Sequence, residues 1–231
     1  VKKTKNFDFI EIVGNQNFKS FNYNIPSDIS SSAFFIVLTL LSKKSTLIIE
    51  NVNVNPSRIG IIKILNKMGA NIIFKNKKIY KGEPIADIFV KSSILLKPIN
   101  CPEQLNSSAI DEFLLIFLIA AKSKGVSYFK NLSELNQKES PRLKLGSKIL
   151  NMIGIKTKLT NHSIKIYGQP NLKPKKNYEI KNYLKDHRIF MMTTIMALTF
   201  GGNWKIYDPD SIKTSFPSFL KIVKSLGGKI K

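Results

Sequence analysis

One arrangement recurs three times after Ser27 and constrains the fold more than any other feature. A short polar head opens each unit: Ser30-Ser31-Ser32, Asp111-Glu112 and Asp186-His187-Arg188. An apolar run follows, at residues 33–41, 113–121 and 189–200. A polar turn then leads into a strand-like segment, at 46–50, 126–130 and 203–207, and after a loop comes an amphipathic stretch. Its apolar residues are spaced near 3.6: Ile59, Ile62, Leu65 and Met68; Leu145, Ile149, Leu150 and Ile153; Phe216, Phe219, Leu220, Val223 and Leu226. Each stretch stops at glycine, Gly69, Gly154 and Gly227, the usual left-handed cap. Further strands are expected at 70–74 and 155–159, with only Lys229-Ile230-Lys231 left for the third unit.

The first helix of each unit is apolar on nearly every face, so it belongs inside. Its polar head is then the one hydrophilic place on it. If the three helices run parallel, their N-termini open on one face carrying three positive dipole ends with Asp111, His187 and Arg188, an anion site by construction. A plain helix cap accounts for any single head equally well.

Arginine usage points to the same face. Of 37 basic Lys and Arg residues only three are Arg: Arg58, Arg142 and Arg188. Where Lys serves almost everywhere, a retained Arg marks a place that needs the bidentate guanidinium fork. Arg142 closes the stretch Lys138-Glu139-Ser140-Pro141-Arg142. Ser140-Pro141 reads as a helix entry, which puts Lys138 and Glu139 on a loop and Arg142 in the first turn. A helix cap with a surface ion pair fits these residues as well.

The net charge of +22 raises the question of nucleic acid. Against that reading, the lysines are spread along the chain, and most aromatics sit inside apolar runs rather than between basic residues. The single Cys101 excludes an internal disulfide framework and a cysteine zinc site. No unbroken apolar run has the length of a bilayer span, and the Val-Lys-Lys-Thr start lacks a secretory core, so a cytoplasmic protein is expected. Before Ser27 the alternation at 7–13 and 18–23 predicts short strands around a turn at Gly14-Asn15.

The motifs together resemble the C-terminal half of the EPSP synthases (3-phosphoshikimate 1-carboxyvinyltransferases). The resemblance rests on residues 26–35, the Asn51-Val52 and Asn55-Pro56-Ser57-Arg58 segments, Ile110-Asp111-Glu112, Lys138-Glu139-Ser140 with Arg142, and Asp186-His187-Arg188 followed by Ser215-Phe216-Pro217. It runs from about residue 20 to the end of the chain. It implies an α/β (α+β) domain of three βαβαββ repeats around buried parallel helices, an inside-out α/β barrel. Residues 1–26 would be the end of a missing N-terminal domain and the hinge, and residues 27–231 the C-terminal domain.

The family transfers the enolpyruvyl group of phosphoenolpyruvate to the 5-hydroxyl of shikimate 3-phosphate, in the pathway to chorismate and the aromatic amino acids. No metal or organic cofactor is implied. The implied partners are the two substrates and the missing domain, with no nucleic acid or membrane and a monomeric full-length enzyme. By motif position, Asp111 is implied as general base and shikimate 3-phosphate ligand, Lys138 as a shikimate 3-phosphate ligand, and Glu139 as a proton-transfer carboxylate. Arg142 and Arg188 are implied as phosphoenolpyruvate ligands, and His187 as a group that aids that binding or orients its neighbours. Arg58 is expected to be structural, and Lys213 is not assigned a role.

Two departures stand out: Asn136 where the family has Arg, and Pro141 where it has Asp. With only half a cleft, Lys138, Arg142 and Arg188 are expected to lie open to solvent, and the chain alone to be inactive. UDP-N-acetylglucosamine enolpyruvyl transferase, which shares the fold, and a basic nucleic-acid-binding module are the competing readings.

Overall fold

The computed structural model describes residues 2–3, 8–93, 96–174 and 176–230. Two short strands open the chain, β1 (Lys2–Lys3) and β2 (Asp8–Phe9), paired antiparallel. The first unit holds α1 (Ile29–Leu41), β3 (Thr46–Asn53), α2 (Gly60–Lys67), β4 (Asn71–Tyr80) and β5 (Glu83–Lys91). The second holds α3 (Asn106–Ala109), α4 (Phe113–Lys122), β6 (Gly125–Phe129), α5 (Arg142–Met152), β7 (Thr157–Leu159) and β8 (Ile164–Gly168). The third holds β9 (Asn177–Ile180), α6 (His187–Phe200), β10 (Asn203–Ile206) and α7 (Phe219–Ser225).

Each apolar helix connects two parallel extended segments. Ser27 bridges Val52 across α1, Asn100 bridges Tyr128 across α4, and β9 pairs with β10 across α6. Antiparallel strands extend the first two units into the orders β3-β5-β4 and β6-β8-β7. The third unit has no such addition: Lys229 and Ile230 form no strand, and Lys231 lies outside the described residues. Gly69, Gly154 and Gly227 all take positive φ, 86°, 95° and 92°, as helix caps require.

The three apolar helices are buried as their composition demands. Every residue of Phe113–Ala121 is buried, and α1, α4 and α6 pack on one another. Each amphipathic helix then reaches the buried helix of the next unit. The α2 helix packs on α4, and α5 on α6. The α7 segment closes on α1 through edge contacts of Phe216 and Phe219 with Phe34 and Phe35. Gly146 lets α5 approach α4: a Cβ there would lie 2.9 Å from Leu114 and 3.5 Å from Phe117.

One expectation fails. The alternating segment 18–23 forms no strand; Phe18 and Phe21 are 93% and 77% exposed, and residues 21–24 meet the domain at Tyr80 and Lys81. Alternation becomes a strand only where the backbone pairs with a partner, and among the described residues 18–23 has no such pairing. Of the 7–13 segment only Asp8–Phe9 pairs, and Phe7 lies outside the described residues. The expectation that no unbroken apolar run spans a bilayer stands, although among the described residues one helical run, Glu103–Lys122, is long and apolar enough to cross a membrane by length and composition. Apolar residues alone understate it, because the polar turns that open it are helical too. Its apolar part lies in the core between α1 and α6.

Candidate active site at the joined helix heads

The N-terminal heads of α1, α4 and α6 meet in a single hydrogen-bonded cluster. Ser30, in the first turn of α1, donates through Oγ to Glu112 Oε1 at 2.6 Å. Arg188, at the start of α6, donates through Nη1 to the Asp111 carbonyl at 2.9 Å and lies 3.5 Å from Glu112 Oε1. Its Nη2 is 3.7 Å from Asp111 Oδ2. Arg58, from the loop before α2, donates to Ser30 Oγ at 3.0 Å. All three units therefore contribute to one face, as the parallel arrangement predicts.

The loop before α5 supplies the rest. Lys138 and Glu139 lie on that loop and Arg142 opens α5. Asn136 Oδ1 accepts from the Lys144 amide at 3.3 Å, and its Nδ2 donates to the Asn161 carbonyl at 3.2 Å. Asn136 thus satisfies a first-turn amide of α5, where Pro141 at the cap position has no side chain to do so. It ties down the loop without adding a positive charge.

Arg142 is 1% exposed and has carboxylates on every nitrogen. Its Nε donates to Asp186 Oδ2 at 2.8 Å, its Nη2 donates to Glu139 Oε2, and its Nη1 is 3.5 Å from Asp111 Oδ1. The expectation that the cations lie open to solvent is corrected here. Arg188 is 15% and Lys138 24% exposed, and each is already paired with acid. Buried charge is unfavourable unless compensated, so the chain supplies its own counter-ions.

Asp186 anchors this arrangement. It caps α6 by accepting from the Arg188 amide at 2.8 Å and the Ile189 amide at 3.4 Å, and it also accepts from Ser140 Oγ at 2.8 Å. Burial pushes its carboxyl up, yet the Arg142, Ser140 and Arg188 contacts outweigh that and hold it below the usual range. The sequence marked Asp186 as part of a helix head but offered no sign of its partner 44 residues away.

Asp111 is the shared counter-ion. It faces Arg188, Lys138 (3.5 Å) and Arg142, and remains 23% exposed. Burial raises its pKa, but the three cations together hold it low, so it is ionised at neutral pH. Glu112 next to it is 3% exposed, and there burial prevails and raises the carboxyl. Burial lowers the pKa of His187, with Arg188 and Arg142 adding to it, which favours neutral imidazole. Lys138 is raised by its 2.9 Å contact with Glu134, then by Asp111. Lys213 stands apart, paired with exposed Asp210 at 2.6 Å.

This constellation is two arginines and a lysine gathered around one shared, partly accessible carboxylate, Asp111, at three helix N-termini. It can hold an anion that displaces the carboxylates, and it keeps an ionised base beside that anion. A profile of EPSP synthase (3-phosphoshikimate 1-carboxyvinyltransferase) matches residues 1–223. The chain belongs to the EPSP synthase family. The 3-phosphoshikimate 1-carboxyvinyltransferase of Ruthia magnifica is 39% identical over 219 residues, covering 95% of this chain and 49% of that protein. The corresponding protein of Hydrogenovibrio crunogenus is 37% identical over 94% of this chain and 48% of its own length. The chain thus spans about half the length of these curated relatives. Among solved structures, EPSP synthase from Acinetobacter baumannii superposes with a TM-score of 0.82 at 36% identity, over 87% of this chain and 46% of that one. The enolpyruvyl transferase NikO from Streptomyces tendae shares the fold, with a TM-score of 0.64 at 13% identity.

Proposed function

We propose that this chain forms one wall of a carboxyvinyl-transfer site. The reaction moves the enolpyruvyl group of phosphoenolpyruvate to the 5-hydroxyl of shikimate 3-phosphate and releases phosphate, on the way to chorismate. The observation that carries the reading is the meeting of Asp111, Lys138, Arg142 and Arg188 at three joined helix heads in a member of this family.

In this reading Arg188 and Arg142 receive the carboxylate or phosphate of phosphoenolpyruvate, and His187, neutral at the edge, assists. Lys138 binds shikimate 3-phosphate. Arg142 has no free edge, so a ligand reaches it only when Glu139 or Asp111 turns away. That requirement joins binding to the chemistry. While three cations surround Asp111 it is a weak base. An anion that engages those cations lessens their pull on Asp111 and raises its pKa toward what abstraction of a hydroxyl proton needs. Glu139, freed from Arg142, becomes available for proton transfer at the methylene carbon.

The same reading treats residues 27–231 as one EPSP-synthase-like domain, an inside-out α/β barrel of three repeated units, and residues 1–26 as the end of the N-terminal domain and the hinge. It includes a cytoplasmic enzyme, monomeric when both halves are present. Two anionic substrates need positive groups on both sides and exclusion of water. The other wall is assigned to a second domain of the kind that fills the remaining half of the relatives.

The test is phosphate release from phosphoenolpyruvate plus shikimate 3-phosphate. It is run with this chain alone and with the unmatched half of the Ruthia magnifica relative added as a separate polypeptide. Turnover only in the mixture is expected. Robust turnover by the chain alone would show that one wall holds the whole site; no turnover in the mixture, with no phosphoenolpyruvate binding, would remove the assignment.

A further inference from the structure

Glu112 has no part in the proposed chemistry, yet of the two carboxylates beside the Arg188 guanidinium it is the more deeply placed. Its side chain is 3% exposed, against 23% for Asp111. One oxygen, Oε1, accepts from Ser30 at 2.6 Å and lies 3.5 Å from Arg188 Nη1. Ser30 is held from its other side by Arg58 at 3.0 Å. Glu112 therefore joins the head of α1, the head of α4 and the head of α6 through one carboxylate oxygen. Burying that carboxylate is costly, as its raised pKa reflects, and its two contacts are what offset the cost.

We propose that Glu112 is a positioning residue for Arg188: with Ser30 and Arg58 behind it, and with the Asp111 carbonyl accepting from the same Nη1 at 2.9 Å, it fixes the direction of the guanidinium fork at the anion site. The inference rests on the reading of Arg188 as an anion ligand. It makes a prediction opposite to simple Coulomb reasoning. Removing a negative charge near a cationic site should tighten anion binding if charge were all that mattered. If Glu112 sets the direction of the fork, removing its charge weakens binding, because an unoriented guanidinium must lose its rotational freedom when the ligand arrives. Asp111 differs in this respect: it sits at the accessible mouth and competes with the ligand, whereas Glu112 does not.

The experiment uses the whole chain. Glu112→Gln is expected to weaken phosphoenolpyruvate binding by titration calorimetry about tenfold, the equivalent of one hydrogen bond to a charged group, although the protein becomes more positive. In an Arg188→Lys background the same change should produce no weakening. A readout without ligand comes from the side-chain Nε–H resonances, which are few because the chain has three Arg, and Arg188→Lys identifies the one that matters. In the unaltered chain the Arg188 resonance should show restricted rotation, and in Glu112→Gln it should average. Ser30→Ala, which loosens Glu112 without changing charge, should move it the same way and keeps the test usable if Glu112→Gln unfolds. An Arg188 resonance unchanged in whichever of these variants fold, or equal or tighter binding by Glu112→Gln, overturns the proposal. If the unaltered chain binds neither phosphoenolpyruvate nor inorganic phosphate, the proposed function loses its anion site, while the resonance still decides the role of Glu112.

Discussion

Asp111 and Asp186 are both aspartates beside Arg142, but they do different work because one is accessible and the other is not. Asp186 is fully buried against a buried guanidinium. Removing one member of such a pair leaves the other uncompensated, at a cost of about 3–5 kcal/mol. Asp186→Ala should therefore lower the urea midpoint strongly or prevent folding. The pH dependence has a defined sign. The folded pKa of Asp186 lies below its unfolded value, so its stabilisation is complete above the ordinary aspartate pKa of about 3.9 and is lost as pH falls through the folded value. Urea midpoints measured from pH 5 downward should fall below about pH 4, and Asp186→Asn, if it folds, should flatten that fall. Asp111 predicts the opposite kind of result. Since it competes with ligand for three cations, Asp111→Asn should bind inorganic phosphate more tightly in calorimetry while losing about 10²–10⁴ in turnover in the two-part assay. Near-normal turnover would take Asp111 out of the mechanism.

At the scale of elements, close backbone approaches decide how the units lock. Gly60 opens α2 against the α3 segment: a Cβ there would lie 2.4 Å from Ser108 Oγ and 2.6 Å from its carbonyl carbon. A backbone atom cannot step aside as a flexible side chain can, so Gly60→Ala should cost about 1–3 kcal/mol in urea unfolding. Gly154→Ala offers the comparison. A Cβ there meets nothing within 4 Å, and its positive φ is the whole objection, so the cost should be about 1 kcal/mol. If the two substitutions cost the same, packing between units is not what requires Gly60. The caps at Gly69, Gly154 and Gly227 were legible in the sequence because a left-handed cap is a local demand. The Gly60 contact was not, since its partner is 48 positions away and no periodicity reports it.

At the scale of the molecule, α1, α4 and α6 share one core, and the amphipathic helices bridge between units. The domain should unfold in a single cooperative transition, with Trp204 fluorescence and helical circular dichroism coincident. Residues 10–26 contribute little to that core. Their apolar side chains Ile12, Phe18 and Ile25 are mostly exposed, and residues 21–24 meet the domain at Tyr80 and Lys81. Deleting residues 1–26 while keeping Ser27, whose amide donates to Asn51 O and whose carbonyl accepts from the Asn53 amide, should leave the urea midpoint nearly unchanged. A large loss would assign that segment a stabilising role.

The sequence by itself determined the order of the three units, which helices are buried, where they stop, and that the retained Arg142 and Arg188 mark places that need a guanidinium fork. Those are local facts: an all-apolar helix must be covered, a capped helix ends at its glycine, and the guanidinium fork has no substitute among the other residues. Only the tertiary structure decided which groups face one another. Ser30 meets Glu112 across 82 positions, and Arg188 meets the Asp111 carbonyl across 77. It decided as well that the cations are paired internally rather than open to water. A charge read along a chain has no partner until packing places one beside it, and burial then makes pairing obligatory because an uncompensated charge in the interior costs more than the fold can spare.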